Sequence, residues 1–295
     1  PASLTKMMTL YVAFQAIEKN EISLDSYVTV SRNAAAEPPS KLWLKRGQKI
    51  KLRYLIRAAA IKSANDAATA IGEAISGSEA AFAKRMTRTA RAMGMSRTTF
   101  KNAHGLTRSG HLSTARDMTI LGRHMIYDYP QYYNLFSRRS ADAKIRKVNN
   151  TNRRFLAAYK GADGIKTGYT RAAGFNLVAS AERGGERIIA TMFGGSSTAA
   201  RNKRVAQLLD MGFDRAPSTA KLQRPSLPPY DQNENENGGK TLGLVTAVKR
   251  SLRPKMRPFG EASAPEEPLL AALPDVQVQP DDILTAVQSA TSGAL

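Results

Sequence analysis

Three short motifs, S-L-T-K at residues 3–6, S-A-N at 63–65 and K-T-G at 166–168, fall in that order along the chain. For their side chains to act together, one fold must carry three distant stretches to a single cleft. Ser3 and Lys6 are three apart, a spacing that makes them neighbours on one helical face. Leu4, Met7, Met8, Tyr11, Phe14 and Ile17 repeat at helical spacing, which predicts that the pair sits on the first turn of a buried amphipathic helix. Ser63 and Asn65 follow an apolar stretch, 52–61, and precede an alanine-rich segment that predicts a helix over roughly 66–75. They are therefore placed in a loop between helices, where side chains can point into a cleft. K-T-G is followed by two β-rich runs, 175–181 and 187–193, joined at Gly184-Gly185. A two-glycine turn between alternating apolar runs signals a hairpin, and K-T-G is expected on a strand antiparallel to it. The predicted class is α/β of the α+β type: an antiparallel sheet covered by helices.

A serine oxygen beside a lysine nitrogen is a nucleophile beside a base, and the helix N-terminus favours an alkoxide there. A lysine at its ordinary pKa of about 10.4 is a poor base, and bringing it to about 7 costs on the order of 4 to 5 kcal/mol. Burial and a second cation, Lys166, are the expected causes. Ser63 is suited to pass a proton between the lysines and a leaving amine, and Asn65 to hold Lys6 or a substrate amide. Gly168 lets a substrate backbone approach closely, while Lys166 and Thr167 can bind a carboxylate. Each motif also has a plainer reading: an N-cap serine with a solvated lysine, a Ser-x-Asn-Asp helix cap, a solvated strand-edge lysine. The chain carries decoys too, a second S-x-x-K at 218–221 and a second S-x-N at 31–33, but neither has the right neighbours. Order, separation and setting favour the leading set.

The text around the motifs extends the pattern: P-A-S-L-T-K-M-M-T at 1–9, K-S-A-N-D-A at 62–67, F-K-N-A-H-G-L at 100–106, H-L-S-T-A-R-D at 111–117 and D-G-I-K-T-G-Y-T-R-A-A-G-F-N-L at 163–177. On these stretches residues 1–216, nearly three quarters of the chain, resemble the low-molecular-mass penicillin-binding proteins, specifically serine-type D-alanyl-D-alanine carboxypeptidases. The resemblance implies a penicillin-binding, serine β-lactamase-like fold and no cofactor. It implies that Ser3 is acylated by the penultimate D-alanine of a peptidoglycan stem peptide, releasing the last D-alanine, and that water then hydrolyses the ester. Lys6 would be the general base and Ser63 the proton relay. Lys166 and Thr167 would hold the terminal carboxylate, helped by Arg201 in S-S-T-A-A-R, and the N–H groups of Ser3 and Tyr169 would form the oxyanion hole. Tyr169 stands where relatives have histidine, which leaves the backbone role intact. β-Lactams would be covalent inhibitors. A class A β-lactamase needs a glutamate for deacylation, and this chain has none between Glu79 and Glu182. A D,D-endopeptidase would need the same residues and a wider cleft.

Lys plus Arg exceed Asp plus Glu by 44 to 24, a net charge of +20, and the excess lies in residues 1–216. Such a charge implies an anionic partner: cell-wall polymer or an anionic membrane surface for an exported enzyme. A basic binding module without catalysis is the alternative of a different class, but no nucleic-acid motif is present. With no cysteine and no close ligand spacing, His104, His111 and His124 predict no metal site; the first two are expected to brace the loop 101–113. Trp43 and the ten methionines read as packing. Ten of the fourteen prolines fall in 217–295, which predicts a largely disordered linker, with a basic apolar run at 242–257 that could touch a membrane. No transmembrane run or signal peptide is present, and Pro1 lies two residues before the nucleophile. The expectation is an enzyme in the periplasm or on the outer face of the cytoplasmic membrane, whose export signal and first sheet strands lie upstream.

Overall fold

The helix that follows Ser3, α1 (Thr5–Glu18), is buried on every side from Thr5 to Ala16. Only Thr, Lys and Gln interrupt the apolar residues of that span, so the helix is not amphipathic as expected but runs through the core. In the computed structural model, which describes residues 1–217 and 222–230, a 3-10 turn (Ala2–Leu4) leads into it. Then follow β1 (Tyr27–Thr29), α2 (Arg32–Ala36), β2 (Lys49–Lys51), α3 (Leu52–Arg57), a π-helical turn (Ala58–Lys62), α4 (Asn65–Ser76) and α5 (Glu79–Ala92). After the loop come α6 (Ala115–Asp128), α7 (Pro130–Tyr133), β3 (Ser140–Asp142), β4 (Lys147–Asn149), α8 (Arg153–Ala158), β5 (Ala162–Thr170), β6 (Gly174–Arg183), β7 (Glu186–Gly195) and α9 (Thr198–Arg215). The α4, α5 and α6 helices pack around α1.

The main sheet is antiparallel in the order β5-β6-β7, so K-T-G lies on an edge strand among the described residues, as expected. Alternation divides the sheet between two layers. Leu177, Ala179, Ala181 and Ala190 join Val205 and Leu209 of α9 in one cluster, while Ile165 and Val178 face Gly122 of α6 and the main core. A strand covered on both faces needs apolar residues at successive positions, which is why β6 reads F-N-L-V-A-S-A. Each fully buried leucine or valine contributes about 1.5 to 3 kcal/mol.

Trp43 is not packed but 57 % exposed, with φ +68°. The buried carboxylate of Asp66 accepts hydrogen bonds from the N–H groups of Leu42 and Leu44, which draws those side chains inward and leaves the residue between them facing out. Residues 222–230, in the stretch read as linker, lie against the domain: Pro228 is buried, and the Tyr230 ring faces Lys19 and Arg85 at 5.5 Å each while its hydroxyl meets Glu21. The basic run at 242–257 lies outside the described residues. No helix among the described residues is long and apolar enough to cross a membrane.

Candidate active site

Lys6 is fully buried and its Nζ has three oxygen neighbours: Ser3 Oγ at 3.0 Å, Asn65 Oδ1 at 2.7 Å and the His104 carbonyl at 2.7 Å. Three stretches of chain thus meet at one nitrogen. Ser3 belongs to the 3-10 turn rather than to α1 itself, half-buried at its mouth. Asn65 is the first residue of α4, so the expected loop shrinks to Ser63 and Ala64 between the π turn and that helix. Ser63 takes a left-handed conformation, φ +64°. Its hydroxyl makes no hydrogen bond among the described residues, whereas Ser3 and Asn65 both meet the Lys6 amine. Neither residue caps α4; Asn65 instead donates its Nδ2 to the Pro38 carbonyl at 2.8 Å, which orients its oxygen toward Lys6.

Burial, then the charge of Lys166, holds the Lys6 amine well below the ordinary lysine range, against the opposing pull of Glu37 and Asp66. Lys166 is buried too and is brought to about 7, mainly by desolvation and then by the Arg201 guanidinium. Arg201 is itself lowered to about 10 by burial. Lys6 thus feels Lys166, and Lys166 feels Arg201, with little water to screen either interaction. Lys166 Nζ donates to the Thr167 carbonyl at 3.0 Å, and the Thr167 hydroxyl to Thr151 Oγ1 at 2.8 Å. The Tyr169 side chain is 56 % exposed and leans on Phe175, with ring centroids 4.3 Å apart.

Gly168 brings the sheet against the nucleophile's turn. A Cβ there would stand 3.0 Å from the Ser3 nitrogen and 3.1 Å from the Pro1 carbonyl. Gly105, at φ +92°, does the same from the loop: its Cβ would overlap the Ala2 carbonyl at 1.9 Å.

Several residues escaped the sequence reading. The His104 carbonyl holds Lys6, and its ring is fixed by Glu37 at 3.2 Å and Glu79 at 3.3 Å. Desolvation lowers the His104 pKa, but hydrogen bonds to the two carboxylates outweigh it and the net shift is upward. These three are the grouping among the described residues spaced to ligate a cation; His104 Nδ1 accepts the Leu106 N–H at 3.1 Å, which leaves Nε2–H facing the two carboxylates. His111, the second loop brace, accepts from Lys101 N at 2.9 Å and so carries its proton on Nε2, 2.8 Å from Thr5 Oγ1. Asn176, opposite Gly168, reaches the Pro1 carbonyl at 3.4 Å. His104 could have been suspected from the H-G-L stretch and Asn176 from the F-N-L that ends 163–177; Thr151 had no such signal.

The sequence profile of the family described as D-alanyl-D-alanine carboxypeptidase, Peptidase S11, matches residues 1–197. The D-alanyl-D-alanine carboxypeptidase DacF of Bacillus subtilis (strain 168) is 39 % identical over 220 residues, 73 % of this chain and 56 % of the relative. The crystal structure of DacD from Francisella tularensis superposes with a TM-score of 0.69 at 32 % identity, covering 72 % of this chain and 64 % of that one. Penicillin-binding protein D2 from Listeria monocytogenes, solved in an ampicillin-bound form, gives 0.65 at 34 % identity over 72 % of this chain and 86 % of its own. The chain spans little more than half the length of the curated relatives it matches. It belongs to the D-alanyl-D-alanine carboxypeptidase family of serine peptidases.

Proposed function

We propose that this chain carries the catalytic domain of an exported serine peptidase that removes the C-terminal D-alanine from peptidoglycan stem pentapeptides and is acylated by β-lactams. The observation that carries this reading is the triple environment of Lys6 Nζ. A neutral amine has two N–H groups and one lone pair. The Asn65 amide oxygen and the His104 carbonyl, each 2.7 Å away, can only accept, so they take both N–H groups. The lone pair is left for the Ser3 hydroxyl at 3.0 Å. For the neutral amine that burial favours, the two acceptors thus fix the direction of the Ser3 hydrogen bond.

In acylation the Ser3 proton passes to Lys6 and Oγ attacks the carbonyl of the penultimate D-alanine. The tetrahedral oxyanion falls to the N–H groups of Ser3 and Tyr169, and a lost oxyanion donor typically costs about 3 to 4 kcal/mol. Collapse breaks the C–N bond, and the proton on Lys6 returns through Ser63 to the departing amine. Deacylation reverses the roles, with Lys6 taking a proton from water. The terminal carboxylate lies against Lys166, Thr167 and Arg201. The edge of β5, unpaired among the described residues, offers main-chain groups to an extended peptide, a recognition mode that needs no side-chain signature. The capture of ampicillin by a relative of the same fold supports acylation at Ser3.

The test is incubation of the protein with a stem pentapeptide and assay of free D-alanine, beside labelling with a fluorescent penicillin. Ser3→Ala is expected to abolish both and to leave the melting temperature within a few degrees. A protein that takes up no penicillin and releases no D-alanine refutes the reading.

A further inference from the structure

Among the described residues the Lys and Arg side chains held in ion pairs are half-buried ones: Lys51 and Arg53 with Asp25, Arg85 with Glu21, Arg183 with Asp210, Arg187 with Asp163 and Glu182. One surface gathers exposed cations without such partners. The β3–β4 hairpin and its flanks, residues 138–154, carry seven cations and a single carboxylate, Asp142. Arg138, Arg139, Lys144, Arg146 and Lys147 are exposed, and so are Arg153 and Arg154 at the start of α8. Among the described residues none of them meets a carboxylate; Arg138 reaches only the amide oxygen of Asn134. Concentrating like charge costs stability through self-repulsion, so an unneutralised patch of this density is matched to something outside the chain.

The patch is built rigidly and stands beside the cleft. Ala143 and Val148 plug the hairpin into the core. Asn150 ties its base, donating to the Phe136 and Arg138 carbonyls, and Asn150 Oδ1 accepts from Asn152 N at 2.7 Å. The next residue after that base, Thr151, donates its N–H to Ile61 in the turn that leads to Ser63 and accepts from Thr167 of K-T-G. Arg57 bonds the Asp142 carbonyl at 3.1 Å. The basic hairpin is therefore continuous with the wall where the S-A-N turn and the K-T-G strand meet.

We infer that this hairpin is a docking surface for the anionic cell-wall polymer that carries the stem peptide, reading its free carboxylates while one stem enters the cleft. This rests on the function proposed above. Contiguity with the cleft selects the polymer over a lipid surface. So does the near absence of apolar residues from the patch, where only Ile145, 38 % exposed, lies between Lys144 and Arg146; a membrane-seating element needs a broad apolar face.

The test is co-sedimentation of the full chain with isolated peptidoglycan sacculi across a salt series, a readout independent of turnover. The wild type is expected to pellet at low salt and to be released as salt rises. The variant Lys144→Glu/Arg146→Glu/Lys147→Glu should bind about tenfold or more weakly, with a flatter salt dependence. Its penicillin labelling and its turnover of a short soluble peptide should stay within twofold of wild type. Sacculi whose carboxylates have been amidated should release the wild type as well. Equal binding by variant and wild type overturns the inference, as does unchanged binding to amidated sacculi. It is likewise overturned if the variant loses binding to phosphatidylglycerol vesicles but not to sacculi. If the variant labels poorly, the Gln triple variant at the same positions decides in its place. A wild type that binds sacculi but takes up no penicillin would sink the enzyme reading and spare the surface.

Discussion

Replacing Asn65 by aspartate changes one atom of the Lys6 shell and tests the protonation argument directly. Asn65 Oδ1 lies 2.7 Å from Lys6 Nζ. A carboxylate oxygen at that place attracts an ammonium by about 6 kcal/mol at an effective dielectric near 20. If half is lost to the carboxylate's own desolvation, the remainder raises the lysine pKa by about 2 units. The wild-type amine is held well below its ordinary range, chiefly by burial, and the added carboxylate returns it toward that range. The rate constant for labelling by a fluorescent penicillin should then fall at pH 7, by at most about 100-fold, and recover toward the alkaline side. Asn65→Ala separates charge from geometry. It removes the acceptor and the Pro38 contact but adds no charge, so its labelling should be slow without alkaline rescue. An Asn65→Asp variant that labels at the wild-type rate at pH 7, or shows the same pH slope as the alanine variant, refutes the claim that a neutral Lys6 is the base.

Arg201→Gln removes the charge that helps hold Lys166 at about 7, so the alkaline limb of peptide kcat/KM should move to higher pH while peptide turnover drops more than penicillin capture; a limb that stays or moves down contradicts the cation chain. Gly168→Ala should slow acylation about tenfold with little change in melting temperature, because the added carbon presses on the Ser3 nitrogen at 3.0 Å rather than on the core. Burial pushes His111 down to about 3, so the folded state resists its protonation. Stability from this group is present above about pH 6.5 and is lost as pH falls toward 3, roughly 3 kcal/mol by pH 4. His104 is shifted the other way, and its contribution is fully present below about pH 6.5, so it leaves that acid limb unchanged. His111→Gln should flatten the limb in denaturant midpoints measured from pH 7 to 4.

What could be read in the sequence was what repeats or what needs a side chain. The alternation in 175–193 about Gly184-Gly185 fixed the β6–β7 hairpin and placed K-T-G on the neighbouring strand, and the spacing of Ser3 and Lys6 placed an amine beside a hydroxyl. The three-residue strands β1 to β4 are too short to carry a period, so nothing announced them or the basic hairpin that β3 and β4 build. Trp43 misled because exposure is decided by its neighbours' N–H groups, which Asp66 claims. The Lys6 shell was half hidden for a related reason. Asn65 is a side chain and could be named in advance, but its counterpart, the His104 carbonyl, belongs to the backbone, which is the same in every residue. Backbone acceptors leave a trace only through the glycines that let main chains approach. Gly105, whose Cβ would overlap the Ala2 carbonyl at 1.9 Å, is that trace here: it follows His104 and allows the loop to close on the nucleophile's turn. H-G-L therefore belongs beside the three catalytic motifs as the stretch that supplies the third ligand of the base.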